Sequence, residues 1–139
     1  MEKEIINSQS YNLVGDIGGT NARFALVISG KSELTSIKTL QCIKFKTVQE
    51  AIKSYLSSVD DVEIISACIA SAGTTHLDVF KPANNDWVIN KANVSSALND
   101  IQVNWINDFS AQALATTTLN NNDVIVVNKG CLLYTSPSP

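Results

Sequence analysis

Leu13-Val14-Gly15-Asp16-Ile17-Gly18-Gly19-Thr20-Asn21-Ala22-Arg23 is the stretch from which the fold can be read. An apolar run from Asn12 to Ile17 stops at two glycines, and a second run, Phe24 to Ile28, follows closely. That is a strand, a tight turn and a strand. After the polar turn Ser29-Gly30-Lys31-Ser32, a third strand is expected from Glu33 to Leu40, completing an antiparallel meander. Glycine lacks Cβ, so Gly18 and Gly19 tolerate φ > 0 and let backbone N–H groups converge on an anion such as phosphate. Thr20 adds a hydroxyl donor, and Asp16 places a carboxylate beside the turn. A carboxylate next to polyphosphate is repulsive unless a cation intervenes, and hard, oxygen-seeking Mg²⁺ is the natural mediator. The pattern is neither Gly-x-x-x-x-Gly-Lys-Ser/Thr nor Gly-x-Gly-x-x-Gly before a helix. The phosphate would therefore sit on a hairpin rather than at a helix N-terminus. Gly-Gly alone is more often an ordinary hairpin turn, but the whole string with its apolar flanks tips the choice toward phosphate.

Working outward, Thr47-Val48-Gln49-Glu50 reads as a capping box, with Thr at the N-cap and Glu three residues on. Behind it Val48, Ile52, Tyr55, Leu56 and Val59 share one helical face. Val62 to Ala70 is continuously apolar enough for a strand buried on both faces. Ser71 to Asp86 reads as loop, with Gly73, Pro82 and Asn84-Asn85. A short helix is expected from Lys91 to Leu98, capped by Asn90. A strand from Ile101 to Ile106 and a helix from Phe109 to Thr118 follow, the latter with Ala111, Leu114 and Ala115 inward. Asn120-Asn121-Asn122-Asp123 is a linker signal before a further strand, Asp123 to Val127. The order βββ-α-β-α-β-α predicts an α/β domain with a mixed sheet and flanking helices.

The 139 residues suit one domain and a piece of another. Hydrophobic residues make up 45% and charged ones 17%, a globular composition that argues against disorder. The net charge of −3 offers no basic footprint for nucleic acid. No apolar run approaches the roughly 20 residues that span a bilayer, so no membrane partner is expected. Met1-Glu2-Lys3-Glu4 lacks an apolar signal core. Cys42, Cys68 and Cys131 show no metal-type spacing and read as reduced thiols, which predicts a cytoplasmic protein. His76, the one histidine, has no partner motif and receives no role.

The second chemical constellation is Trp105-Ile106-Asn107-Asp108-Phe109. A strand ends at Ile106 and a helix follows Asp108, and strand carboxyl ends in α/β sheets face ligand crevices. Asp108 would align an attacking hydroxyl and take its proton. Asn107 offers both a donor and an acceptor, which suits a sugar hydroxyl. A helix N-cap is the competing role for Asp108. Upstream, Ala83-Asn84-Asn85-Asp86-Trp87 is a polar loop ending in an aromatic anchor.

Leu13 to Arg23 resembles the first phosphate motif of bacterial glucokinases, within the actin-like, ribonuclease H-like sugar-kinase superfamily. Ile106-Asn107-Asp108-Phe109 resembles the family's catalytic segment, and Ala83 to Trp87 its Thr-Asn-x-x-Trp segment, with Asn84 at the sugar-contacting position. The resemblance implies that Gly15, Asp16, Ile17, Gly18, Gly19 and Thr20 bind ATP, with Asp16 reaching Mg²⁺ through water. It implies that Asn84, Asn107 and Asp108 bind D-glucose and that Asp108 is catalytic. It also implies a small N-terminal domain over residues 1–119, a larger domain entered at 120–130, and admits a homodimer at full length. The chain departs from the family at Thr74, where Pro is usual, and at Lys81-Pro82-Ala83. Two other readings remain: a kinase for another hexose or N-acylhexosamine, and a non-catalytic actin-like ATP- or sugar-binding module. A sugar-sensing repressor would carry an N-terminal DNA-binding segment, and only about a dozen residues precede the first strand, too few for a helix-turn-helix.

Cys131-Leu132-Leu133-Tyr134-Thr135-Ser136-Pro137-Ser138-Pro139 fits nothing before it, and matches residue for residue the translation of a common sequencing-library adapter. The expectation is a non-native tail. Re-sequencing the locus should show a reading frame that continues past Gly130 without these residues. A frame that encodes them and then stops would overturn the expectation.

Overall fold

The structure is a computed structural model and describes residues 9–111. Strand β1 (Ser10–Ile17) pairs antiparallel with β2 (Asn21–Ile28) across the glycine turn, Tyr11 opposite Ile28 and Ile17 opposite Ala22. β2 in turn pairs antiparallel with β3 (Leu34–Gln41), so the expected meander forms. Gly30 turns that second hairpin at φ 83°, where a side chain would be strained. β4 (Glu63–Ser71) then adds to the other side of β1, parallel to it. β5 (Val79–Phe80) and β6 (Ile89–Asn90) make a separate two-stranded antiparallel pair. β7 (Gln102–Asn107) adds parallel to β4. The five-stranded mixed sheet has the order β3-β2-β1-β4-β7.

Two helices are built by caps that the sequence announces. Helix α1 (Val48–Ser57) starts where the Thr47 hydroxyl accepts from the Glu50 N–H at 3.2 Å. The Glu50 carboxylate reaches one residue further than a standard capping box, accepting from the Lys46 N–H at 2.9 Å. Such a cap contributes about 1 kcal/mol. Val48, Ala51, Ile52 and Tyr55 form its buried stripe against the sheet. Helix α2 (Lys91–Ala97) is capped by Asn90, whose side chain accepts from the Asn93 N–H at 3.2 Å.

The core lies between these helices and one face of the sheet, where Leu13, Ile17, Phe24, Leu26, Ala67 and Ile69 are buried. Gly15 belongs to this face because a Cβ there would lie 2.9 Å from the Phe24 ring. The Phe24 ring sits 5.5 Å from that of Tyr55.

Three expectations need correction. β4 is buried on alternate residues rather than on both faces, Ala67, Ile69 and Ser71 inward and Ile65 44% exposed. Its run of apolar residues fits equally a strand whose second face is only half covered. The stretch Ser71 to Asp86 is not all loop, because Val79-Phe80 pairs with Ile89-Asn90. A two-residue pairing is too short to leave a period in the sequence. The strand expected over Ile101 to Ile106 runs one residue later, ending at Asn107, and the next helix begins at Asp108 rather than Phe109. The rest of that helix, the domain boundary near Leu119, the linker, the strand from Asp123 and the tail fall outside the described residues.

Tyr55 is fully buried and its hydroxyl donates to the Ser36 carbonyl at 2.8 Å. Burial pushes its pKa up to about 12. The fold therefore favours the protonated phenol. Its contribution is fully present below the ordinary pKa of about 10 and is lost as pH rises toward the folded value. Thermal unfolding followed from pH 9 to pH 12 should show Tm falling more steeply in the unsubstituted chain than in Tyr55→Phe. The variant should also lose about 1 kcal/mol at neutral pH. Parallel pH profiles for the two chains would contradict this account.

Candidate active site

β1, β4 and β7 run in one direction, so Ile17, Ser71 and Asn107 end at the same edge of the sheet. Ile17 pairs with Ser71, and Ser71 with Asn107, which puts them in one cross-sheet row on the buried face. The preceding residues Asp16, Ala70 and Ile106 form the next row, on the opposite face. All three chemical segments therefore emerge together: the glycine turn after β1, the Ala72-Gly73 loop after β4, and Asn107-Asp108 after β7.

The turn is closed by Gly18 N–H donating to the Asn21 carbonyl at 2.9 Å. Neither Gly18 nor Gly19 has positive φ, contrary to one expected reason for them. They are needed for space. A Cβ on Gly19 would stand 3.0 Å from the Asn84 carbonyl oxygen and 3.1 Å from the Asn84 Cβ, and one on Gly18 would stand 3.2 Å from the Asn21 carbonyl oxygen. Asn84 itself adopts φ 58°, a conformation that Asn tolerates better than most residues. No backbone carbonyl among the described residues accepts from the Gly19 or Thr20 N–H. These exposed donors are what a phosphate-binding turn requires.

Contacts run from this turn to the Asn-Asp pair. Asn84 packs on Gly19, and the neighbouring Ala83 N–H donates to the Ala72 carbonyl at 3.3 Å. Gly73, at φ 110°, lies under Lys81 and Ala83. The Gly73 carbonyl accepts from the Asn107 amide at 3.2 Å. Asn107 Oδ1 accepts from the Phe109 N–H at 2.9 Å, so Asn107 is the N-cap of the last helix. Asp108 is the first residue of that helix rather than its N-cap, although its Oδ1 also accepts from the Phe109 N–H at 2.9 Å. A carboxylate oxygen has further lone pairs, so Asp108 keeps acceptor capacity for a hydroxyl.

Asp16 is exposed beside the turn, opposite Arg23 on β2. The one ion pair among the described residues joins Lys81 to Asp86 at 3.9 Å, so the Asp16 carboxylate pairs with no cation among those residues. No cluster of three or more His, Cys, Asp or Glu side chains occurs among the described residues. A lone carboxylate at a phosphate turn fits a Mg²⁺ held chiefly by phosphate oxygens and water. Gly15 and Ile17 sit in the packed strand behind the exposed turn.

Asn85 is a site residue that the sequence did not single out. It is 5% exposed, its amide donates to the Gly18 carbonyl at 3.0 Å, and its Oδ1 accepts from the Trp87 N–H at 2.8 Å. The Trp87 indole donates to the Phe45 carbonyl at 2.9 Å, which ties the loop to the segment after β3. An Asn two residues before an anchored N–H is an Asx-turn pattern, a signal present in the sequence. The bond to Gly18 had no such signal, because it spans 67 residues. Cys42 lies below, its Sγ 4.0 Å from the Gly18 carbonyl oxygen. Burial pushes its thiol pKa up, against a smaller downward pull from Asn85, so it is held as an unreactive thiol. A cavity of about 480 Å³ opens here, lined by residues including Gly19, Thr20, Lys46, Asn84 and Trp87. A second hollow of about 430 Å³, near Asp60, Asp61 and Ile64, lies toward the start of β4 and away from the three strand ends.

A meander continued by parallel strands, with a phosphate-type hairpin between the first two, defines the small domain of an actin-like ATPase fold. A hexokinase from Thermus thermophilus shares this fold, with a TM-score of 0.64 at 21% identity over 78% of this chain and 39% of that one. Residues 13–137 match the glucokinase family model, and the chain belongs to that family. It is 42% identical to a glucokinase from Hahella chejuensis over 111 residues, covering 80% of this chain and 34% of that protein. The crystal structure of a glucokinase from an Antarctic psychrotroph superposes with a TM-score of 0.72 at 33% identity, covering 81% of this chain and 36% of the other. The chain thus spans about a third of the length of the relatives it matches. No helix among the described residues is long and apolar enough to cross a membrane.

Gly19→Ala should press a methyl group onto the Asn84 backbone, which cannot swing aside as a side chain can. The expected cost is 1–3 kcal/mol in denaturant unfolding, the range for overpacking. An unchanged midpoint would show that the two loops are not in contact.

Proposed function

We propose that this chain supplies the phosphate-binding and sugar-binding domain of an ATP-dependent glucose kinase, which converts ATP and D-glucose to ADP and glucose 6-phosphate. The observation that carries this reading is the meeting of the glycine turn, Asn84 and Asn107-Asp108 at one sheet edge, linked by direct contacts. Its relatives of 42% and 33% identity are glucokinases.

In this reading the Gly19 and Thr20 N–H groups and the Thr20 hydroxyl bind the phosphates of ATP. Asp16 would hold Mg²⁺ through water, and the ion would supply charge that offsets that of the phosphates. Asn107 uses one amide hydrogen on Gly73 and its Oδ1 on Phe109, leaving its second amide hydrogen for a sugar hydroxyl. Asn84 presents its exposed side chain beside the turn. Asp108 accepts the proton as the glucose 6-oxygen forms its bond to the γ-phosphorus and the bond to the ADP oxygen breaks. Positioning dominates in such transfers, and the second domain would close over the sugar to exclude water. A homodimer and a cytoplasmic setting complete the proposal, the latter supported by the free thiols of Cys42 and Cys68.

The chain alone should not turn over, because two thirds of a full-length relative lies outside it. In a full-length kinase carrying this sequence, Asp108→Ala should lower kcat by about 10²–10⁴-fold, the usual worth of a general base, with ATP binding retained. A coupled assay for glucose-dependent ADP release checks both. Turnover by the chain alone, or a full-length Asp108→Ala enzyme of normal kcat, would sink the proposal. Activity confined to another hexose would preserve the chemistry and replace glucose as the substrate.

A further inference from the structure

We infer that Asn85 is a positioning residue that sets the direction of the Gly19 N–H in the phosphate-binding turn and couples it to the loop carrying Asn84. The inference rests on the reading of Gly18-Gly19-Thr20 as a phosphate turn. A trans peptide is planar, with its C=O and N–H pointing opposite ways. All peptides among the described residues are trans. The Gly18 carbonyl is held inward by the Asn85 amide at 3.0 Å, so the Gly19 N–H of the same peptide unit points away from Asn85. The Thr20 carbonyl is fixed in the same manner by the Cys42 N–H at 2.8 Å. Of the turn's two free donors, the Gly19 N–H is thus set by the Asn85 anchor, while the Cys42 anchor orients the Asn21 N–H that shares the Thr20 carbonyl's peptide unit.

The two anchors differ in kind. Cys42 contributes a main-chain group, which any residue but proline at that position would supply. Asn85 contributes a side chain, and its donor is irreplaceable by an apolar residue. Without an anchor, glycine on both sides of the Gly18–Gly19 peptide leaves that unit free to rotate. The N–H would then be ordered only when phosphate binds, which reduces affinity. Asn85 is well placed to hold still. It is 5% exposed, and its Oδ1 is engaged by the Trp87 N–H. Trp87 is itself buried and anchored through its indole to Phe45. Asn84, next in the chain, packs directly on Gly19. A shift of this loop on binding sugar would therefore move the Gly18 carbonyl and with it the Gly19 N–H. Asn85 touches neither sugar nor phosphate and acts through Gly18.

The test uses the whole 139-residue chain. Isotope-labelled protein is titrated with Mg²⁺–tripolyphosphate while the Gly19 and Thr20 amide signals are followed. Asn85→Asp keeps an acceptor for Trp87 and loses the donor to Gly18. Asn85→His keeps a donor at the equivalent ring nitrogen and loses the acceptor. The unsubstituted chain should show saturable shifts at Gly19 and Thr20. Asn85→Asp should weaken the midpoint about tenfold, the worth of one hydrogen bond, with the near-ultraviolet signal of Trp87 unchanged. Asn85→His should recover most of that affinity. No shift at Gly19 or Thr20 in the unsubstituted chain would overturn the phosphate reading and the inference with it. A normal shift there with equal midpoints in all three chains would overturn the inference alone. A deficit in Asn85→Asp that vanishes at high salt would assign it to the added charge and likewise overturn the inference.

Discussion

Parallel pairing of β1 with β4, and of β4 with β7, sends three strands the same way, so their carboxyl ends meet at one edge of the sheet. Antiparallel addition of β4 would have carried the Ala72-Gly73 loop to the far end, away from the glycine turn. The parallel order has a structural requirement. Each return needs a crossover, and the α1 segment and the β5–β6–α2 segment supply the two. The crossovers bury one face of the sheet and leave the carboxyl edge for loops. Function is thus placed by the direction of two ladders before any site residue is considered.

The loop between β4 and β7 does more than return the chain. Its first part, at Gly73, receives the Asn107 amide. Its middle, at Asn84, packs on Gly19. Its last part, Asn85 to Trp87, holds the Gly18 carbonyl and anchors on Phe45. One segment therefore touches both halves of the proposed chemistry. Small residues make this possible: a Cβ at Gly19 would meet the Asn84 backbone, and Gly73 adopts φ 110° beneath Lys81 and Ala83. The loop is held largely by hydrogen bonds to main-chain groups, which fix direction as well as distance.

Much of this architecture was legible in the chain. The meander, the Thr47 cap of α1, the Asn90 cap of α2 and the strand leading to Asn107 follow from local patterns. Such patterns are legible because they depend on neighbours within four residues. The same locality explains the misreadings. Apolar continuity in β4 could not tell one covered face from two. The glycines of the turn suggested a need for positive φ, whereas both are dictated by crowding from Asn21 and Asn84. Asn107 and Asp108 were legible as a pair, yet the division of labour between them, Asn107 capping the helix, required the backbone.

The sequence by itself determined most of the elements, the glycine turn and the resemblance to glucokinases, because these are properties of contiguous residues. Tertiary structure alone decided which segments meet. The Asn85 bond to Gly18, the seat of Asn84 on Gly19 and the hold of Asn107 on Gly73 join residues far apart in the chain. Contacts of that kind leave no local period or spacing, since their partners are selected by sheet order and crossover path rather than by neighbours.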